Sequence, residues 1–211
     1  MTISQEQRST YQSKVSEFTH QRDINTCLPV SLLNIIGELA DSTGNDELSI
    51  DLDRAKDAVD YDPFMGSSTE FVGERLDPHL ADFNYKTVLD RALDLDELDE
   101  IIQDPSCSYP IVELDSRYLD WVDAYEVQAG MSGTLQPHTV VPFGFNDESI
   151  LLFDPMLEYH LDPERASSNG IEIPKPLFYE YWSGESVPRW TLWIEQQEQQ
   201  TFDQIDTRGD E

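Results

Sequence analysis

A run of apolar residues at helical spacing, Val30, Leu32, Leu33, Ile35, Ile36 and Leu39, is the feature that most constrains what this chain can fold into. Recurrence every three or four residues places them on one wide face of a helix over residues 29–40, and so wide a face must be covered by other elements. Pro29 suits the first turn, where a missing N–H costs nothing. The cluster Asp41-Ser-Thr-Gly-Asn45 should stop the helix.

The elements expected around that helix change character along the chain. Residues 4–19 read as a polar helix or irregular arm anchored by Tyr11, Val15 and Phe18. Further helices are expected over 51–59 and 69–80, the second opened by Ser67 with Glu70 at capping-box spacing. A strand over 85–89, a helix over 95–102 and a strand over 110–114 follow, with Cys107 in the turn before the last of these. Beyond 115 strands dominate. The stretch His138-Thr-Val-Val-Pro-Phe-Gly-Phe145, the turn Asn146-Asp-Glu-Ser149 and Ile150-Leu-Leu-Phe-Asp154 read as a hairpin. A short aromatic helix over 177–182 and a strand over 190–194 close the pattern. Helices first and an antiparallel sheet later predict an α+β fold. At this length we expect one domain over 1–194 and a frayed, polar and acidic tail over 195–211.

The charge balance excludes several partners. Thirteen basic residues against 43 acidic ones give a net charge of −30, which repels nucleic acid and anionic membranes. A disordered acidic chain would lack the 38% hydrophobic and 10% aromatic residues found here, so a core is expected beneath an acidic surface. Low lysine and dense carboxylates resemble the cytoplasmic proteins of salt-accumulating halophiles. Near 1 M salt the Debye length is about 3 Å, which screens such self-repulsion. The N-terminus shows no secretion signal and no stretch is apolar enough to span a bilayer, so a cytoplasmic protein is expected. There, Cys27 and Cys107 would be free thiols.

Cys27 opens the apolar helix. The first N–H groups of a helix lack internal partners and carry partial positive charge, which favours a thiolate, the nucleophilic form of cysteine. Taken singly, Cys27 could equally be a small buried hydrophobe. A nucleophile needs a base, and four histidines are available: His20, His79, His138 and His160. His138 alone opens a strand, and its hairpin partner ends in Asp154, which could orient the imidazole. With Phe145 paired to Ile150, strict alternation would put His138 and Asp154 on opposite faces. A bulge restores a common face, and Pro142, which cannot donate to the ladder, is where one is expected. A strand-end histidine and a turn-forming aspartate before Pro155 are the alternative readings.

Taken together, these residues resemble the papain-like cysteine peptidases of the bacteriocin-processing type, cysteine peptidase family thirty-nine, and their standalone relatives. That family has a glutamine, then the catalytic cysteine after five residues, then Gly-Pro and a small or hydroxyl residue opening an apolar helix. Here the stretch is Gln21, Cys27 and Leu28-Pro29-Val30-Ser31. The family histidine opens a strand and its aspartate lies in a strand-ending Asp-Pro, matched by His138, Phe143-Gly144-Phe145 and Asp154-Pro155. Phe178-Tyr-Glu-Tyr-Trp182 and the strand at Trp190 resemble its closing elements. The likeness spans roughly residues 17–194. Leu28 departs from it, standing where the family has glycine, and a side chain there is expected to narrow the cleft, change the substrate or mark lost activity.

The resemblance implies a papain-like fold, with the nucleophile at a helix N-terminus packed on a C-terminal antiparallel sheet. It also implies a thiol hydrolase, a peptidase or amidase acting on a peptide or isopeptide bond. Cys27 would be the nucleophile, His138 the proton shuttle and Asp154 its orienter, with Gln21 completing an oxyanion hole. Two alternatives stand beside it: acyl transfer to an amine from the same acyl-enzyme, and a catalytically silent module that binds a peptide or protein in the cleft. No cofactor is expected and no metal, since the cysteines and histidines show no ligand spacing. The expected partner is a peptide or protein substrate, and the sequence carries no signal for oligomeric state.

Overall fold

The computed structural model describes residues 9, 13, 17–20, 25–115, 137–156, 171–184 and 188–197. Its centre is the apolar helix, α1 (Cys27–Thr43), which buries Leu28, Val30, Leu32, Ile35, Ile36 and Leu39. The helix starts two residues before the expected position and ends three beyond it. Its stop is Gly44, left-handed at φ 66°, whose N–H returns to the last carbonyls as glycine permits at such an end.

Helices α2 (Leu52–Ala58), α3 (Val72–Leu80), α4 (Leu95–Gln103) and α5 (Lys175–Trp182) follow, with short 3-10 helices at Asp46–Leu48 and Ala81–Phe83. Asp51 caps α2 by accepting from the Arg54 N–H, and Asp94 with Glu97 forms a reciprocal capping box on α4. The predicted box at Ser67 does not form. Here α3 begins at Val72, Phe71 is its N-cap, and the Ser67 hydroxyl is buried with no partner among the described residues. The neighbouring backbone is used elsewhere: the Ser68 N–H donates to the Val59 carbonyl and its hydroxyl accepts from the Glu70 N–H. A short-range sequence pattern lost to a tertiary hydrogen bond.

Six strands form one antiparallel sheet in the order β1-β6-β2-β3-β4-β5: β1 (Tyr85–Asp90), β2 (Ile111–Leu114), β3 (His138–Phe145), β4 (Ser149–Phe153), β5 (Ile171–Pro174) and β6 (Thr191–Gln196). β5 was not expected from the sequence. Every residue of β3 and β4 is buried, so these strands are covered on both faces, and α1 and α4 both pack against β3. The expected tail begins too early at 195. The sheet runs to Gln196, and Gln197 exchanges main-chain and side-chain bonds with Asn84 and Tyr85. Residues 198–211 lie outside the described residues.

The N-terminal arm, helical at residues 9 and 13, is fastened to α1. Asn34 accepts from the Thr19 N–H at 2.8 Å and donates to its carbonyl at 2.9 Å. Phe18 is buried edge-on against Phe153, with ring centroids 5.1 Å apart. The α+β architecture is as expected. No helix among the described residues is long and apolar enough to cross a membrane.

Candidate active site

The site forms where the N-terminus of α1 meets the first residues of β3. Cys27 is the first residue of α1, with Thr26 as N-cap and no side-chain cap closing the end. Cys27 as a residue is half-buried, whereas the next residue, Leu28, is folded into the core at 3% exposure. The leucine that stands where the family resembled has glycine therefore packs inward.

His138 begins β3, opposite Leu114 of β2, and is completely buried. Its Nε2 lies 2.7 Å from Asp154 Oδ1, itself 1% exposed, and that oxygen also accepts from the Met156 N–H at 2.8 Å. With Nε2 committed to Asp154, the imidazole also bears electrostatically on the neighbouring Cys27 thiol.

What brings His138 and Asp154 to one face is a bulge. Phe145 pairs with Ile150 and Gly144 with Leu151, but Pro142 pairs with Leu152 and Val141 with Phe153. Phe143 is the extra residue, and the alternation beyond it is shifted by one position. The irregularity falls beside Pro142, where the sequence suggested it.

The ionisation of the pair follows from this packing. Burial pushes the Cys27 thiol up, but the neighbouring His138, with the polar groups of Thr139 beside it, outweighs that and leaves the thiol below its ordinary value. Burial pulls His138 down, yet the charge and hydrogen bond of Asp154, with those of Cys27, raise it to about 10. Both shifts favour a thiolate beside an imidazolium.

The other predicted residues fare differently. Gln21 lies outside the described residues, between Thr19, held by Asn34, and Asn25, whose side chain donates to the Pro63 carbonyl at 2.8 Å. His79 Nε2 sits 3.0 Å from the Leu48 carbonyl and its ring packs on Phe83, a structural role. His20 packs against Phe153, and His160 lies outside the described residues. Thr139 went unnoticed because a threonine in a strand reads as an ordinary β-former. Its only sequence signal was adjacency to His138.

This arrangement of helices and sheet has solved counterparts. A Bacillus anthracis protein assigned as a C39-like peptidase superimposes with a TM-score of 0.56 at 14% identity, covering 88% of this chain and 96% of that one. The peptidase domain of Streptococcus ComA, a bi-functional ABC transporter of a quorum-sensing pathway, covers 85% of this chain and 97% of its own, with a TM-score of 0.47 and 15% identity. No protein-family model and no curated protein matches the chain. The fold is the papain-like fold of the C39 peptidases.

Proposed function

We propose that the chain is a thiol hydrolase that cleaves a peptide or isopeptide bond through a Cys27 acyl-enzyme. The observation that carries this reading is the buried line Cys27–His138–Asp154, closed at one end by the 2.7 Å contact between His138 Nε2 and Asp154 Oδ1. A thiolate at a helix N-terminus, paired with a charged imidazole, is set to attack.

In the proposed cycle the Cys27 sulfur adds to the substrate carbonyl carbon, and the carbonyl π electrons move to oxygen. The Cys27 main-chain N–H, at the open first turn of α1, would donate to that oxyanion, with Gln21 as the expected second donor; one such donor is typically worth about 10²–10³ in rate. His138 gives its proton to the departing amine as the C–N bond breaks. Water then loses a proton to His138 while its oxygen attacks the thioester, and the Cys27 thiolate leaves. Asp154 holds the ring in register throughout and balances its charge.

The sign of the pH dependence follows from the two shifts. Activity should rise as Cys27 loses its proton below the ordinary thiol value of 9.0 and fall as His138 loses its own near 10. The direct test is iodoacetamide labelling followed site by site by mass spectrometry. Cys27 is expected to alkylate well below pH 8 and faster than Cys107. Equal, slow labelling of the two thiols would overturn the enzyme reading in favour of a silent binding module. Products formed with and without an added amine then separate hydrolysis from acyl transfer.

A further inference from the structure

Asn34 interrupts the buried apolar face of α1 at 6% exposure. A side-chain amide buried in mid-helix is disfavoured by helix propensity and by desolvation unless its polar atoms find partners. One residue supplies them: Asn34 Oδ1 accepts from the Thr19 N–H at 2.8 Å, and Nδ2 donates to the Thr19 carbonyl at 2.9 Å. The amide thus takes up both main-chain groups of Thr19, as a neighbouring strand would. The residues on either side of Thr19 hold a different element. Phe18 and His20 both pack on the ring of Phe153, each with centroids 5.1 Å away, and Phe153 directly precedes Asp154. Residues 18–20 are therefore fastened at three points, one on the helix that begins with Cys27 and two at the end of β4.

Gln21 follows His20 in the chain. Two residues of chain reach at most about 7 Å, so whatever fixes Thr19 limits where Gln21 can go. We propose that Asn34 is a positioning residue for the oxyanion hole: by gripping Thr19 it ties the segment carrying Gln21 to the same helix that carries Cys27, whose main-chain N–H is the other donor. This rests on the Cys27 acyl-enzyme and on Gln21 as second donor, and it adds what aligns the two donors. Such donors work only when aimed at the place where charge develops, and a misplacement of about 1 Å can cost on the order of 10² in rate. Asn34 stands seven residues beyond Cys27, about 10 Å along the helix axis, and acts without touching the reacting atoms.

The experiment compares two reactions of Cys27 in the full chain. p-Nitrophenyl acetate acylates it: the sulfur adds to the ester carbonyl, charge collects on the carbonyl oxygen, and p-nitrophenolate leaves with the electron pair of the broken C–O bond, giving a thioester. Iodoacetamide alkylates it by displacing iodide from a saturated carbon. No oxyanion forms there, so alkylation reports the thiolate and the integrity of the fold. Asn34→Ala should slow the acylation burst about tenfold, less than the roughly 10²–10³ expected when Gln21→Ala removes a donor outright. Alkylation of Cys27 and its pH dependence should stay as in the wild type. Added to Gln21→Ala, Asn34→Ala should cost nothing more, because it acts through that residue. Asn34→Asp keeps an acceptor for the Thr19 N–H and loses the donor; it should show a smaller loss of the same kind and carries the test should alanine disturb α1. Unchanged acylation in both Asn34 variants would overturn the proposal. So would acylation and alkylation falling together, or losses that add in the double variant. If Gln21→Ala itself leaves acylation unchanged, the oxyanion role of Gln21 fails, and this proposal with it. A wild type that is neither acylated nor alkylated below the ordinary thiol range would remove the nucleophile reading itself.

Discussion

Cys27 and Cys107 are both drawn out of water, and burial pushes both thiols up; they part company in what stands beside them. Cys27, at the start of α1, faces the imidazolium of His138 and the polar groups of Thr139, and ends below its ordinary value. Cys107, in the turn that bridges to β6 at Glu195, faces the carboxylates of Asp104 and Glu195 and rises to about 11, with only the Ser106 hydrogen bond opposing them. The lesson is that desolvation does not decide whether a cysteine is reactive. The sign of the nearest charge does.

Removing that charge should break the contrast most severely. His138→Ala takes away the proton donor and the counter-charge together, and we expect hydrolysis to fall by about 10²–10⁴. Iodoacetamide labelling of the Cys27 thiol should drop toward the slow rate of Cys107. If Cys27 still labels quickly in that variant, helix position rather than the imidazole activates it.

A smaller effect is expected from Asp154→Asn, which preserves shape but removes the charge that holds His138 at about 10. The alkaline limb of activity should move to lower pH, with a rate loss of roughly 10², the lower end of what general acid–base groups contribute. An alkaline limb that stays in place would show that Asp154 does not set the imidazole. The mildest change sharpens the comparison from the other side. Asp104→Asn relieves one of the two carboxylates facing Cys107 and should speed its labelling a few-fold at pH 9, leaving Cys27 unaffected. Added salt should act in the same direction on Cys107, whose charged neighbours lie near the surface, and hardly at all on the buried pair.

Much of this was legible from residue order, for reasons that differ by element. The face of α1 was plain because its apolar residues repeat with a period the backbone fixes. The meeting of His138 with Asp154 could be worked out from strand alternation once a bulge was allowed, and Pro142 advertised where it would fall. The start of α3 was misread because Ser67-x-x-Glu70 has the spacing of a cap, while the working box is Asp94-x-x-Glu97. Only long-range contacts, here Ser68 to Val59, distinguish the two. The insertion of β6 between β1 and β2 is likewise non-local.

The bulge at Phe143 has a consequence for how such chains can change length. For His138 and Asp154 to share a face, the residues lying outside the ladder between them must be odd in number. The turn at 146–149 supplies an even set, and Phe143 makes it odd. A single-residue deletion in the turn would therefore turn the carboxylate away from the imidazole, whereas the same deletion combined with an insertion in the strand, or the loss of two residues, would keep them together. Related chains are free to trade a bulge for an odd turn, but an indel of one residue in this hairpin should act as an on–off change, whatever the amino acid involved.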